Sequence, residues 1–504
     1  MVVHDDDHSL HPFVRLPQVE HLTSMGDPQS DDRGVRTSYE YVEGWGMAVG
    51  SHSRVLRPES VQEIGSAYDA ARRDGVPLTL RGTGCSYGDP SCNSQGHVLD
   101  LTRMNRILQF DSSSGVIEVE AGVTLEQLWK YLLPRGFWPK VCSGTMFPTT
   151  GGALGMNIHG KNNFKVGTWG DNTLDFDLVL PSGEVRTCSR EQNSDLFHAA
   201  IGGMGMLGTF SRARLKTHRI HSGDIEVRGI STRNLGEMMT YFEEQKHSAD
   251  YLVGWVDCFA AGDGLGRGLI HEAHYLPKGR DPDPGSSLTL AHQDLPSSIF
   301  GVLPKDQVWR GLYLFNHDFG MRMVNLAKYH AGRVEQMDGG HIQSHAGFNF
   351  LLDFVPNWKW AYGRREKRGL IQYQPFVPNE TAHEVYSDIL KLCHKRGFTP
   401  YLGVLKRHKP DPFWLTHALD GWSFALDFRV RPERREALWK HCHELTEIVL
   451  AGGGKFYFAK DLVLRPQDVE RFYPPGRLDA FRALKRELDP EGLLQSDVWR
   501  RIGG

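Results

Sequence analysis

The spacing of apolar residues divides the chain into helices and strands punctuated by glycine. Ser60-Val61-Gln62-Glu63 has the form of a helix-capping box, and Val61, Ile64, Tyr68 and Ala71 recur at helical spacing before a stop at Gly75. Val76 to Leu80 reads as a short strand running into the glycine loop R-G-T-G-C-S-Y-G-D at 81–89. Alternation predicts a strand over Val116 to Ala121, and Thr124 to Gln127 caps an amphipathic helix through Leu128, Trp129 and Leu132. Leu178–Leu180 and Glu184–Arg186, joined by Pro181-Ser182-Gly183, form a hairpin.

Two later strands carry a polar face. Within 370–377, Gln372 and Gln374 alternate with Ile371 and Tyr373; within 422–430, Ser423, Ala425, Asp427 and Arg429 oppose Trp422, Phe424, Leu426, Phe428 and Val430. Such a face suits either solvent or a polar ligand cavity. Arg434 to Leu450 reads as a helix, and Lys455 to Ala459 as a strand ending at Lys460 and Asp461.

Three segments would make poor core. P-T-T-G-G-A-L-G-M-N-I-H-G-K-N at 148–162 leaves the main chain bare, then sets His159 among donors. The loop at 81–89 and I-G-G-M-G-M-L-G-T-F at 201–210 repeat the theme, which suits backbone N–H groups converging on phosphate oxygens. No G-x-G-x-x-G opens a helix, so a Rossmann fingerprint is not supported.

Totals narrow the class. At 504 residues the chain exceeds one core and implies two domains. Lys plus Arg (58) against Asp plus Glu (61) leaves a net charge of -3 and no nucleic-acid footprint. Seven irregularly spaced cysteines argue against a disulfide framework and for a reducing, cytoplasmic setting. No signal peptide or spanning apolar run is visible. Residues 1–35, with His4, Asp5, Asp6, Asp7, His8 and His11, read as a poorly ordered tail. No metal site is expected there or at His441 and His443, which splay apart on a helix. Residues 277–304, rich in Pro, Gly and Asp, read as a mobile loop: a lid, a membrane-facing flap, or a spacer.

The three glycine segments resemble the flavin-binding signature of the vanillyl-alcohol-oxidase family. Within it, the nearer resemblance is to the decaprenylphosphoryl-ribose oxidases, the flavin half of a two-enzyme sugar epimerase. It rests on I-H-G-K-N (158–162), G-L-I-Q-Y-Q (369–374), L-K-R-H-K-P (405–410), G-W-S-F-A-L-D-F (421–428), F-A-K-D (458–461) and Q-S-D-V-W-R-R (495–501). The resemblance implies an α+β fold. A two-part FAD-binding domain spans 36–219 and 452–504; a substrate domain, 220–451, has an antiparallel sheet with flanking helices.

The resemblance also assigns roles. The first loop, Arg81, Gly82, Thr83, Gly84, Cys85, Ser86, Tyr87 and Gly88, would cradle the FAD pyrophosphate. Gly144, Thr149, Thr150, Gly151, Gly152, Met156, Asn157, Ile158, His159, Gly160 and Asn162 would lie along the cofactor, with Gly205, Gly208, Phe210 and Tyr457. Lys460 would anchor substrate and support developing charge; its plainer reading is a surface lysine paired with Asp461. His159 would act as base or relay, or hydrogen-bond the cofactor. Tyr87, Gln374 and Lys406 match catalytic positions around the pocket; Gln372 and Trp255 match its substrate wall, and Ser423 and Ala425 stand where the relatives carry Asn and Cys. Many family members tether FAD through a His just before the loop Ser; this chain has Cys85 there, so dissociable FAD is expected.

The leading expectation is oxidation of a secondary hydroxyl on a sugar-derived substrate, in one version a polyprenyl-phosphoryl pentose held at the membrane surface through the 277–304 loop. An NAD(P)H-dependent reductase is the implied partner. A flavin-linked alkene reductase resembling sterol reductases and a non-catalytic flavin-binding module are the competing readings.

Overall fold

The structure, a computed structural model, describes residues 29–30, 35–294, 298–299, 303–336, 339–355, 357–363 and 368–503. Most of the expected tail and part of the 277–304 loop lie outside the described residues, although Gln29–Ser30 pairs as a short strand with Arg36–Glu43.

Three large sheets organise the described residues, with helices around them and one two-stranded ribbon, Ser298–Ile299 with Leu303–Pro304, apart. In the first, Arg36–Glu43 and Gly50–Arg57 run antiparallel, and His97–Asp100 then Leu78–Arg81 follow in parallel. The helix Val61–Asp74 feeds this sheet. Ser60 accepts the Glu63 N–H, and Gly75 closes the helix at φ 64°, a left-handed position that suits glycine. The capping box is only half made, because the Glu63 carboxylate takes the Glu59 N–H instead. Val61 is exposed rather than core, since it sits in the first turn ahead of the buried stripe. The second helix, Leu125–Leu132, has the complete reciprocal box between Thr124 and Gln127.

The second sheet is antiparallel, in the order Val185–Ser189, Thr173–Val179, Thr209–Arg219, Val116–Glu120, Ile107–Asp111. The expected hairpin forms its edge.

The third and largest sheet is the platform of the site. It runs His341–Ser344, Asp224–Thr232, Gly268–Tyr275, Tyr251–Val256, Leu402–His408, Gly421–Val430, Pro375–Pro378, Lys455–Phe456, with Gly369–Tyr373 also on Gly421–Val430. Trp422, Phe424, Leu426 and Phe428 turn to a layer of helices, where Tyr386 packs on Phe424 and donates to the Trp422 carbonyl at 2.6 Å. Ser423, Ala425 and Asp427 share the opposite face and are buried too, so that face is not wet. The strand at Lys455 stops at Phe456, and 457–460 is a turn closed by the Lys460 N–H on the Tyr457 carbonyl.

The chain's end comes back to the first sheet. Leu78 N–H donates to the Leu493 carbonyl and Gln495 N–H to that of Leu78. The segment 277–294 is pinned rather than loose: Asp281 accepts from Ser222 and Ser287, and buried Gln293 donates to the Gly223 carbonyl. Two short helices, Pro284–Ser287 and Leu290–Gln293, supply the caps that hydrophilic composition alone did not disclose.

Candidate active site

The first and second glycine segments meet each other before they meet any ligand. A methyl group on Gly82 would overlap Thr149 Oγ1, and one on Gly88 would overlap the Asp461 carbonyl. Their glycines are therefore the contact surface between loops as much as a bare cradle. Tyr87 N–H donates to the Ala459 carbonyl at 2.8 Å, so the turn bearing Lys460 is docked on the first loop.

Between these loops and the large sheet lies a cavity of about 420 Å³. One wall is backbone: Arg81 through Tyr87, Gly144, Thr149, Gly151, Gly152, Met156, Ile158 and Gly205, with Phe210 beneath. The other is side chain: Trp255, Gln372, Gln374, Lys406, Ala425, Tyr457 and Lys460, with His159 where the walls join. Seven expected residues lie outside this lining. Gly88 packs on Asp461 as described. Thr150 donates to the Val123 carbonyl, and Asn157, at φ 48°, bridges Asp411 and the Gly170 N–H. Gly160 is wedged against Cys142 and Asn162, and Asn162 donates to the Lys140 carbonyl. Gly208 abuts Leu178, and Ser423 sits one layer behind Gln374.

The polar groups form a connected set. Gln374 Nε2 donates to His159 Nε2 at 3.2 Å and to Ser423 Oγ at 3.3 Å; Ser423 Oγ is 2.8 Å from His408 Nε2. His408 and His417 stand 4.9 and 5.2 Å from the His159 ring. Burial first, then the charges of Lys406 and these histidines, hold the His159 imidazole well below its ordinary value. With Nε2 accepting, the ring carries its proton on Nδ1, which finds no partner among the described residues.

Lys460 is not paired with Asp461. The Asp461 carboxylate accepts the Val463 and Leu464 N–H groups and meets Arg501 at 2.9 Å, and Arg501 also holds Asp89. Lys460 lies over the Tyr87 ring at 3.7 Å, with its pKa brought down to about 7 by burial, against the opposing pull of Asp427. Burial raises Asp427 to about 7; its Oδ1 accepts from Gln372 at 2.6 Å, and its Oδ2 has no partner among the described residues. Lys406 falls to about 8 through burial alone.

Several cavity groups were not anticipated. Lys161, inside the quoted I-H-G-K-N run, is buried, sits over Phe348 at 4.2 Å, and has its pKa brought down to about 7 by burial and then by the charge of Lys406. His271 and Lys328 also line the cavity, Lys328 over Trp255 at 4.7 Å. Lys328 follows the helical period of Asp318–Gln336 and His271 the alternation of its strand, but neither pattern says what each face meets.

Comparison with known proteins decides the class. Residues 52–189 match the model of the FAD binding domain. The decaprenylphosphoryl-β-D-ribose oxidase of Mycolicibacterium smegmatis is 30% identical over 482 residues, covering 92% of this chain and 98% of that protein. The chain belongs to this family of FAD-binding oxidoreductases. This oxidoreductase also shares 28% identity over 396 residues with an uncharacterised Streptomyces coelicolor protein (76% of this chain, all of that one). Over 171 residues it is 30% identical to cytokinin dehydrogenase 3 of Arabidopsis thaliana, about a third of each chain (32% and 32%).

The residues present fit FAD. None of the five successive N–H groups of Gly82 to Ser86 donates to a protein group among the described residues, and all five residues line the cavity. Consecutive free amides of this kind suit a pyrophosphate. The cationic, hydrogen-bond-rich wall opposite suits a polar substrate. The enzyme is thus an FAD-dependent oxidoreductase acting on CH–OH groups.

Proposed function

We propose that the enzyme oxidises a secondary hydroxyl of a sugar-derived, lipid-linked substrate to a ketone. The observation that carries this is the side-chain wall: Lys161, Lys406 and Lys460, with Gln372 and Gln374, line the same cavity as the free amides. Bound FAD supplies the acceptor for hydride from the carbinol carbon. Gln372 and Gln374 orient the sugar hydroxyls, Trp255 and Ala425 bound its ring, and Lys406 with Lys161 attracts an anionic group on it.

Lys460 Nζ, uncharged in part near pH 7, takes the hydroxyl proton and becomes the ammonium that faces the developing charge. His159 is a poor base at so low a pKa; it holds the cofactor edge through Nδ1–H, positioned by Gln374. The cofactor is dissociable, because burial keeps the Cys85 thiol protonated and a weak nucleophile. The relative's substrate, decaprenylphosphoryl ribose by its name, supports a phosphoryl-linked pentose and a following reductase that consumes the ketone.

Anaerobic titration tests this. Bleaching of the yellow protein by a glycosyl phospholipid, but not by free pentoses or prenyl phosphate, is expected. Rapid reduction by NADPH instead would favour alkene reduction. No bleaching by any alcohol would overturn the reading.

A further inference from the structure

Of the fifteen large apolar side chains exposed among the described residues, nine fall between Tyr313 and Phe354. Isolated exposed apolar residues mean little, but a cluster of this density marks a contact surface. It centres on the corner between the helices Val308–Phe315 and Asp318–Gln336, where Leu314 is 72% and Phe319 71% exposed, with Tyr313, Phe315 and Met323 beside them. No residue of the first helix is buried.

The corner is built rather than frayed. His317 N–H donates to the Phe315 carbonyl, and His317 Nδ1 accepts the Gly320 N–H at 3.1 Å. A side chain on Gly320 would overlap the Phe315 carbonyl. Arg429 donates to the Asn316 carbonyl, and Tyr401 donates to Asp318 at 2.9 Å, which fastens the corner to the large sheet. Its apolar tips are thus held outward by polar anchors beneath.

This corner adjoins the cavity's mouth. Lys328, on the second helix, and Leu351 are both exposed and both line the cavity. Trp309 of the first helix packs edge-on against Trp360 at 5.6 Å, and neighbouring Lys359 donates to the carbonyl of Trp45, another lining residue. Charge adds a direction. The stretch 308–336, which makes both helices, carries four Lys and Arg against two Asp and Glu, in a chain of net charge -3. Arg310, Arg322 and Arg333 are exposed on the same two helices.

We propose that this corner docks on the anionic leaflet of a lipid bilayer. Leu314, Phe315 and Phe319 enter the acyl boundary, and the arginines meet the headgroups. No helix among the described residues is long and apolar enough to cross a membrane, so the attachment is peripheral. A lipid-linked substrate then presents its sugar at the mouth while its tail stays in the bilayer. The inference rests on the lipid-linked reading of the site for its purpose, but not for its evidence.

Flotation of the flavin-loaded protein with phosphatidylglycerol–phosphatidylcholine vesicles tests it. Wild type should float with these vesicles, weakly with phosphatidylcholine alone, and less at high salt. The double variant Leu314→Ser/Phe319→Ser should lose about tenfold in vesicle affinity, with unchanged flavin content and thermal midpoint. Arg310→Glu/Arg322→Glu should lose the preference for anionic lipid. Equal flotation of the Leu314/Phe319 variant, or no flotation of wild type, would overturn the proposal. So would a concentration-dependent dimer that this variant abolishes, since a second copy would then own the surface. Flotation as expected without bleaching by any glycosyl phospholipid would leave the docking standing and remove the substrate reading. Bleaching without flotation would do the reverse.

Discussion

The two walls of the cavity are built on opposite principles. The loop wall presents main chain: its glycines let loops 81–89 and 148–162 interlock, and the residues bearing its free amides line the cavity. The sheet wall presents long side chains from strands and turns far apart in sequence, with lysines whose charge is unsettled by burial. The first wall supplies fixed dipoles at no cost in titration. The second supplies groups that exchange protons near neutrality. Binding of the cofactor and turnover of the substrate should therefore be separable by substitution.

The sharpest separation is Lys460→Ala. It should lower kcat by about 10²–10³-fold while the protein stays yellow, measured by steady-state rate and flavin absorbance together. Unchanged turnover would erase the distinction between the walls. Gly82→Ala is the converse. Its methyl must displace Thr149, an overpacking of about 1–3 kcal/mol, and should weaken FAD retention by about tenfold or more, read by flavin released on dilution, with little change in turnover of the fraction still loaded.

The pH profile sharpens the chemistry of the sheet wall. Lys460 must lose its proton to act as base, so kcat/KM should rise with pH up to about 7. Lys406 must keep its proton to hold an anion, so KM should rise above about 8. Each limb should change the rate by about tenfold per pH unit beyond its midpoint. Lys460→Ala should remove the acid limb alone. The smallest effect belongs to Ala425→Cys. It should change turnover by about twofold at most, since the side chain gains one buried sulfur. It should nonetheless create a cavity thiol that an active-site-sized alkylating agent labels, seen as a single added mass.

The loop wall was largely legible beforehand, because glycine runs announce backbone exposure wherever they occur. Even so, three of the expected glycines do not line the cavity: Gly88 packs on Asp461, Gly160 on Cys142 and Asn162, and Gly208 on Leu178. The polar faces of the two central strands were also visible as alternation. Asp427 was on such a face, yet its partnership with Gln372 and its position opposite Lys460 depend on register between strands, which periodicity does not specify. Lys161, His271 and Lys328 were hidden for the same reason. Each is an unremarkable residue on its own element and becomes notable only where three elements converge. The pairing of Asp461 with Arg501 rather than Lys460 could not be read from a K-D dipeptide at all.

Arg501 is synthesised after every other group named in the cavity, yet it is the guanidinium that pins the turn beneath Lys460 and reaches back to Asp89. A chain lacking it leaves both carboxylates without their guanidinium, and the turn bearing Lys460 loses its tie to Asp89. A chain cut just before Arg501 should therefore be a pale protein, even with the loops 81–89, 148–162 and 201–210 intact.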